Sequence, residues 1–204
     1  MNKIQLKIKI IVGSTRQSRF SDKPAHYIFS ELQKIEKIEA EILDLRDYPM
    51  PFFDSPLSPI RGNGTYENNF VQKWADKINE ADALIIVTPE YNHGYPAVLQ
   101  NAMDVIYHEW NNKPVGFVSY GINGGANVIA QLTPVAVELK MFPISRSIHV
   151  PADILLKSMR GETIDLQTFE PLRNGQRGDV LGMFFNELIR ISSTLKMEYR
   201  NNTI

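Results

Sequence analysis

Three short segments gather side chains able to hold a charged, flat ligand. The first is Gly13-Ser14-Thr15-Arg16-Gln17-Ser18-Arg19-Phe20-Ser21, rich in hydroxyls and carrying two arginines where a helical pattern opens. A helix N-terminus presents unsatisfied N–H groups and a partial positive charge, both of which favour an anion. Hydroxyls add donors, and an arginine can grip a phosphate with two parallel bonds. The segment reads as a phosphate cradle; its bland counterpart is a capped turn with solvated arginines. The second is Thr88-Pro89-Glu90-Tyr91-Asn92-His93-Gly94-Tyr95-Pro96. Its prolines stiffen a loop whose N–H groups and tyrosines suit a heteroaromatic ring, although a plain strand-to-helix turn would also use them. The third is Ser119-Tyr120-Gly121-Ile122-Asn123-Gly124-Gly125-Ala126-Asn127. Its glycines let backbone approach a ligand closely, or make a flexible surface turn. A phosphate seat and a ring seat at one end of a sheet point to a mononucleotide. Within the second segment, Tyr91 and Asn92 are expected to shape the ring seat, with His93 secondary.

Other chemistries fail on spacing. No Gly-x-x-x-x-Gly-Lys-Ser/Thr segment is present, and no dinucleotide fingerprint follows the first apolar run. His108-Glu109 begins a zinc-protease pattern, but Asn112 stands where the second histidine belongs. Ser119 has Gly121 two residues after it but Phe117 two before it, which is not a nucleophile elbow. Asn63-Gly64-Thr65 matches a glycosylation acceptor and is expected to be idle without a secretory leader.

Composition narrows the classes further. The 204 residues carry 22 Lys and Arg against 23 Asp and Glu, a net charge of −1, so the basic excess of a nucleic-acid binder is missing. Cysteine is absent, which removes disulfides, thiolate nucleophiles, zinc–cysteine sites and iron–sulfur clusters. From Lys3 to Ile11 charges alternate with apolar residues, unlike a signal peptide. No run approaches the ~18 apolar residues of a membrane span. A soluble, cytoplasmic protein is expected, with neither nucleic acid nor membrane as partner and no metal.

The elements that must position these segments alternate. Strands are predicted over Leu6–Val12, Ala40–Leu45, Ala83–Val87, Pro114–Ser119 and Phe142–Val150. The unbroken apolar run at 83–87 is what a strand covered on both faces requires. Helices are predicted over Asp22–Ile35, Phe70–Ala81, Pro96–Trp110, Val128–Leu139 and Val180–Met197. Ser21 or Asp22 is expected to cap the first helix, with Pro24 tolerated in its first turn. The proline-rich stretch 48–64 is a loop, read as an insertion within one domain spanning 1–204, and 152–177 is mixed and polar. The alternation implies an α/β fold, a parallel sheet with helices on both faces. In such a sheet, ligands sit beyond the C-terminal strand ends, where the three segments fall.

Taken together, Gly13-Ser14-Thr15-Arg16, Pro89-Glu90-Tyr91-Asn92-His93-Gly94 with Leu99-Gln100-Asn101-Ala102-Met103-Asp104, and Ser119-Tyr120-Gly121-Ile122-Asn123-Gly124-Gly125 resemble the NADPH-dependent FMN reductases. That family includes azo-dye, quinone and chromate reductases. The resemblance covers roughly residues 5 to 150, with the middle motif the most specific. It implies a flavodoxin-like three-layer fold, a five-stranded parallel sheet of order 2-1-3-4-5, with FMN at the switch point. It also implies that Ser14, Arg16 and Ser21 face the FMN phosphate, with Arg19 and Phe20 added from the same loop. Pro89, Glu90, Tyr91 and Asn92 would lie along the isoalloxazine ring, and Ser119, Gly121, Gly124 and Gly125 beside its pyrimidine side. Gln100 stands where many members carry lysine, so an inter-subunit salt bridge from that position is not carried over.

The resulting expectation is an oxidoreductase. Hydride from NADPH or NADH would pass through bound FMN to a small acceptor: a quinone, an azo compound, free flavin or a metal oxyanion. The cofactor performs the chemistry, which explains the lack of a visible catalytic dyad. The alternatives are a flavodoxin-type electron carrier without its own NAD(P)H turnover, and a flavodoxin-like hydrolase or FMN-free sensor. Val98, Leu99, Ala102, Met103, Ile106, Tyr107 and Trp110 form a wide apolar stripe on the third helix. It marks either a helix deep in the monomer core or the interface of a homodimer or dimer of dimers.

Overall fold

In the computed structural model, which describes residues 5–174 and 178–201, the apolar runs become one parallel sheet. Its strands are β1 (Leu6–Val12), β2 (Ile38–Asp44), β3 (Ala83–Pro89), β4 (Pro114–Tyr120) and β5 (Phe142–His149), in the order β2-β1-β3-β4-β5. This is the flavodoxin-like order. β3 is buried along its whole length, and its run of isoleucine, leucine and valine is what burial on both faces demands. The edge strands are half exposed. β5 tolerates Pro143 because an edge need not donate every N–H, and its register slips between Val115↔Pro143 and Phe117↔Ser147.

The helices are α1 (Asp22–Leu32), α2 (Asn69–Asn79), α3 (Ala97–Asp104), α4 (Ala126–Glu138), α5 (Ala152–Met159), α6 (Pro171–Asn174) and α7 (Val180–Asn201). Strand pleating divides the sheet residues between two cores. Ile10 and Ile85 meet α1, α5, α6 and α7 on one face. Ile11 and Ile86 meet α2, α3 and α4 on the other. α2 starts where the sequence permits capping: the Asn68 side chain accepts from the N–H groups of Phe70 (2.9 Å) and Val71 (3.2 Å). One cation enters the second core. Lys9 is buried, and its ammonium is held by Glu41 and by Glu80. Burial pushes the Glu41 carboxyl up, but hydrogen bonds from Lys77 and Lys9 outweigh it and hold the group below the usual glutamate value. Among the described residues no helix is long and apolar enough to cross a membrane.

Three expectations require correction. The third helix does not run to Trp110; it stops at Asp104, and a separate turn covers His108–Trp110. Two indole N–H groups explain the stop, since Trp74 donates to the Ala102 carbonyl (2.8 Å) and Trp110 to that of Met103 (3.2 Å). They satisfy carbonyls that a helix end leaves open. Neither Ser21 nor Asp22 caps α1. Ser21 occupies the cap position without a side-chain cap bond, because its hydroxyl is taken by Tyr120. The segment 152–177, read only as mixed and polar, contributes α5 and α6 and places Phe169 and Leu172 in the first core. The stripe on the third helix mostly faces the monomer's interior. Leu99, Ala102, Met103, Ile106 and Trp110 are buried in the second core, with Val98 and Tyr107 partly so.

α7 packs tightly on the sheet at Gly116. A Cβ there would lie 2.4 Å from Cζ of Phe184 and 2.6 Å from its Cε2, and Phe184 is itself wholly buried. Gly116→Ala is therefore expected to lower the unfolding free energy by about 1–3 kcal/mol, the usual range for overpacking. Urea denaturation reads it directly, and an unchanged midpoint would show that Phe184 can step aside.

Candidate functional site

The chain leaves β1 for β2 in one direction, while β3 and β4 continue the sheet in the other. Connections after β1 and β3 therefore diverge at the C-terminal strand ends, where open sheets of this kind bind ligands. The three segments singled out from the sequence follow β1, β3 and β4 at that end.

The first loop starts pressed against β3. Gly13 donates its N–H to the Val87 carbonyl (2.8 Å), and a Cβ at this position would come within 3.0 Å of Leu99. From Ser14 onward, arginines collect the loop's carbonyls. Arg46 donates through Nε to the Thr15 oxygen (3.4 Å), and through Nη2 to those of Arg16 and Gln17 (3.2 Å to the latter). Arg19 donates to the Ser14 oxygen (2.7 Å), and Arg16 to that of Ser18 (3.3 Å). No described peptide is cis. A trans peptide points its N–H opposite to its oxygen. The N–H groups of Gln17 and Ser18 therefore point away from Arg46, while that of Arg16 turns to the Ser14 hydroxyl oxygen (3.5 Å).

Asp44, at the end of β2, anchors both arginines. It takes Arg19 in a two-pronged pair (2.6 Å for Nη1–Oδ1) and accepts the backbone N–H of Arg46 (3.0 Å). Burial pushes the Asp44 carboxyl up, but the Arg19 guanidinium overrides this and holds it below its usual range. The same hydrogen bond raises the Arg19 pKa. Arg16 differs. It is exposed, lies 5.8 Å from the centre of the Tyr91 ring, and has no carboxylate partner among the described residues. Ser14 is buried, with its hydroxyl 3.0 Å from that of Tyr91. Ser21 is buried, its hydroxyl 2.7 Å from that of Tyr120. Burial pushes the Tyr120 phenol up to about 12, so it stays protonated. The Phe20 side chain packs into the first core, edge-on to Tyr120 (5.0 Å), so only its backbone borders the loop.

The second loop leaves β3 at Pro89. Glu90 donates its N–H to the Tyr120 carbonyl (2.8 Å), which joins this loop to the third. Its carboxylate sits at the N-terminus of α4. There it accepts from the Asn127 backbone (3.1 Å) and from the Asn127 side chain (2.9 Å). Burial pushes the Glu90 carboxyl up, but Asn127 and the first N–H groups of α4 pull it below its usual value. Tyr91 and Gly94 exchange backbone hydrogen bonds (2.8 and 2.9 Å) around Asn92 and His93, with φ of +51° and +68°. Such a tight turn needs positive φ at both central residues, which asparagine tolerates well. Asn92 and His93 stand exposed at its tip, and His93 Nδ1 is 2.9 Å from the Asn127 amide.

The third loop is built on closeness. Gly121 faces Glu90, where a Cβ would come within 3.2 Å of the glutamate's own Cβ. Gly125 has φ +72°, and a Cβ there would lie 2.6 Å from that of Ser119. Ser119 is buried and donates its hydroxyl to the Gly124 carbonyl (2.9 Å).

Ser14, Arg16 and Tyr91 thus meet across the first two loops, and Glu90 and Gly121 across the second and third. Five contributors were not singled out from the sequence: Asp44, Arg46, Tyr120, Asn127 and His149, whose Nδ1 lies 2.9 Å from the Gly124 carbonyl oxygen. Tyr120 and Asn127 lay within the quoted third segment, whereas nothing in the local pattern marks the other three. A separate cleft of about 280 Å³, lined by Asn63, Gly64, Ala75, Asp76, Asn79, His108 and Glu109, shares no residue with these loops.

Residues 6–153, which include all three loops, match the family model described as NADPH-dependent FMN reductase. The chain belongs to the NADPH-dependent FMN reductase family. It is 39% identical over 159 residues to an NAD(P)H-dependent FMN reductase of Schizosaccharomyces pombe, covering 77% of this chain and 80% of that one. It is 33% identical over 124 residues to a 2-hydroxy-1,4-benzoquinone reductase of a Burkholderia species, covering 59% and 58% of the two. Among solved structures, a flavoenzyme NAD(P)H:(acceptor) oxidoreductase from Paracoccus denitrificans aligns over 93% of this chain and 98% of its own. Its TM-score of 0.66 at 21% identity shows that this reductase-family chain shares the fold.

The clasp between Glu90 and α4 has a defined pH signature. A carboxyl held below its ordinary value of 4.5 stabilises the fold above that pH and ceases to do so as pH falls through its lower folded value. Glu90→Gln is expected to cost about 1 kcal/mol at neutral pH, the scale of a charge at a helix N-terminus. The gap between wild type and variant should close in acid. Denaturation midpoints at a series of pH values check this, and a gap independent of pH would refute the charge argument.

Proposed function

We propose that the three loops hold one FMN, and that residues 1–204 act as a single flavodoxin-like domain catalysing NAD(P)H-dependent reduction of a small acceptor. The observation that carries this reading is the capture of three successive carbonyls by Arg46, which leaves N–H groups of the same loop facing the other way. Such an array receives phosphate oxygens, as anion-binding backbone nests do. The donor set fits the group: Ser14 and Ser21 bring hydroxyls shared with Tyr91 and Tyr120, Arg16 brings an exposed guanidinium bonded to the Ser18 carbonyl and to no carboxylate among the described residues, and Gly121, Gly124 and Gly125 let the third loop pack closely on Glu90, His149 and Ser119. Arg19 enters through its hold on the Ser14 carbonyl, Phe20 through backbone.

When bound, the flavin supplies the redox chemistry, taking hydride from NADPH or NADH and passing electrons onward. The chain's residues bind and orient. Arg16 and the N–H groups of the first loop neutralise phosphate charge. Pro89, Glu90, Tyr91 and Asn92 form the wall along the ring, stiffened by the Glu90–Asn127 clasp. Ser119, Gly121, Gly124 and Gly125 supply the pyrimidine side. N–H groups there favour the extra negative charge of a reduced ring. A quinone or azo compound is the proposed acceptor class, supported by the quinone reductase among the relatives. The reading takes the protein as cytoplasmic, and as a homodimer or dimer of dimers. The electron-carrier alternative has the reductase family against it.

Two measurements test the reading. Purified protein mixed with FMN should show bound-flavin absorption bands and sustain NAD(P)H oxidation when a quinone is added; a preparation that retains no flavin overturns it. Arg16→Ala should weaken FMN binding about ten- to a hundredfold, the equivalent of a charge-assisted hydrogen bond. Riboflavin, which has no phosphate, should be affected far less. Lysine at position 16 should restore part of the loss, since it keeps the charge without the planar fork. Calorimetric titration of apo-protein with both ligands decides it, and equal losses for the two would sink the phosphate assignment.

A further inference from the structure

His149 ends β5 directly opposite Ser119 of β4, and both side chains converge on one atom. Ser119 Oγ lies 2.9 Å from the Gly124 carbonyl oxygen, His149 Nδ1 also 2.9 Å from it, and the two donors are 3.4 Å apart. A carbonyl oxygen only accepts, so His149 carries a proton on Nδ1. The peptide they grip lies between Gly124 and Gly125, with φ of +71° and +72°. With no side chain on either flank, little steric resistance opposes rotation of this peptide. Its orientation is therefore decided by what holds the oxygen. Because the peptide is trans, fixing the oxygen against β4 and β5 presents the Gly125 N–H on the opposite side.

We infer that His149 is a positioning residue for the ring end of the site: together with Ser119 it locks the Gly124–Gly125 peptide so that the Gly125 N–H is offered to the pyrimidine edge of the flavin. This rests on the placement of the ring proposed above. Ser119 is buried and supplies one hold; His149, reaching in from the edge strand, supplies the second. A donor aimed at that edge interacts more strongly with the reduced ring, which carries more negative charge there. His149 thereby raises the affinity for reduced flavin more than for oxidised flavin, and with it the midpoint potential.

The test uses the full chain, stripped of flavin and titrated with FMN and with riboflavin, and the midpoint potential of bound FMN measured against reference dyes. His149→Ala should weaken both ligands alike, by about fivefold, the equivalent of one net hydrogen bond. Reduced FMN should lose about a further fivefold, which lowers the potential by about 20 mV at 29.6 mV per tenfold for a two-electron couple. His149→Asn, whose amide N–H can stand in for Nδ1, should restore both readouts, and thermal melting should be the same for all three proteins. Wild-type affinities and potential in His149→Ala overturn the inference. A loss that Asn does not restore, accompanied by a lower melting temperature, also overturns it by showing a merely structural role. Failure of the wild-type chain to bind FMN at all is a different result, and it removes the functional reading beneath.

Discussion

A trans peptide cannot turn its oxygen and its N–H to the same side, and the candidate site depends on that constraint twice. In the loop after β1, Arg46 holds the oxygens of Thr15, Arg16 and Gln17, so the N–H groups of Gln17 and Ser18 point away from it. In the loop after β4, Ser119 and His149 hold the oxygen of Gly124, and the N–H of Gly125 is turned out in the same way. Neither loop needs a side chain to touch the ligand for its donors to be aimed. Preorganised dipoles of this kind cost no reorganisation when charge arrives.

Those holds in turn depend on the sheet. Arg46 follows β2 and is seated by Asp44, so the loop after β1 is shaped from the neighbouring strand. His149 ends β5 and shapes a loop that follows β4. Glu90, after β3, clasps the helix that follows β4. Each functional loop is thus braced by the element beside it in the sheet, and strand order sets which braces are available.

Much of this was legible in the chain. β1 lies within the bounds that its apolar run predicts, and the sheet order follows from the alternation and the resemblance together. The three quoted segments fall on the loops after β1, β3 and β4, because local composition marks where strands end and bare, polar backbone begins. What escaped depends on partners distant in sequence. Arg46 lies 29 to 31 residues from the carbonyls it collects, and looks locally like a solvated arginine. The early stop of α3 requires the indole of Trp74, 28 residues upstream of Ala102. Ser21 has the right chemistry for a helix cap, but Tyr120 takes its hydroxyl from 99 residues away. Periodicity and capping rules describe neighbours, and these contacts are between strangers.

The bare Cα of Gly116 carries a consequence for how this chain can drift. Phe184 fills the space that a side chain at 116 would take, across a separation of 68 residues. The two positions are therefore bound to a shared volume. Alanine or serine at the first favours something smaller than phenylalanine at the second, since each single substitution alone introduces either a close contact or a void. The C-terminal helix and the fourth strand are in this sense coupled in their packing, although the family model ends at residue 153.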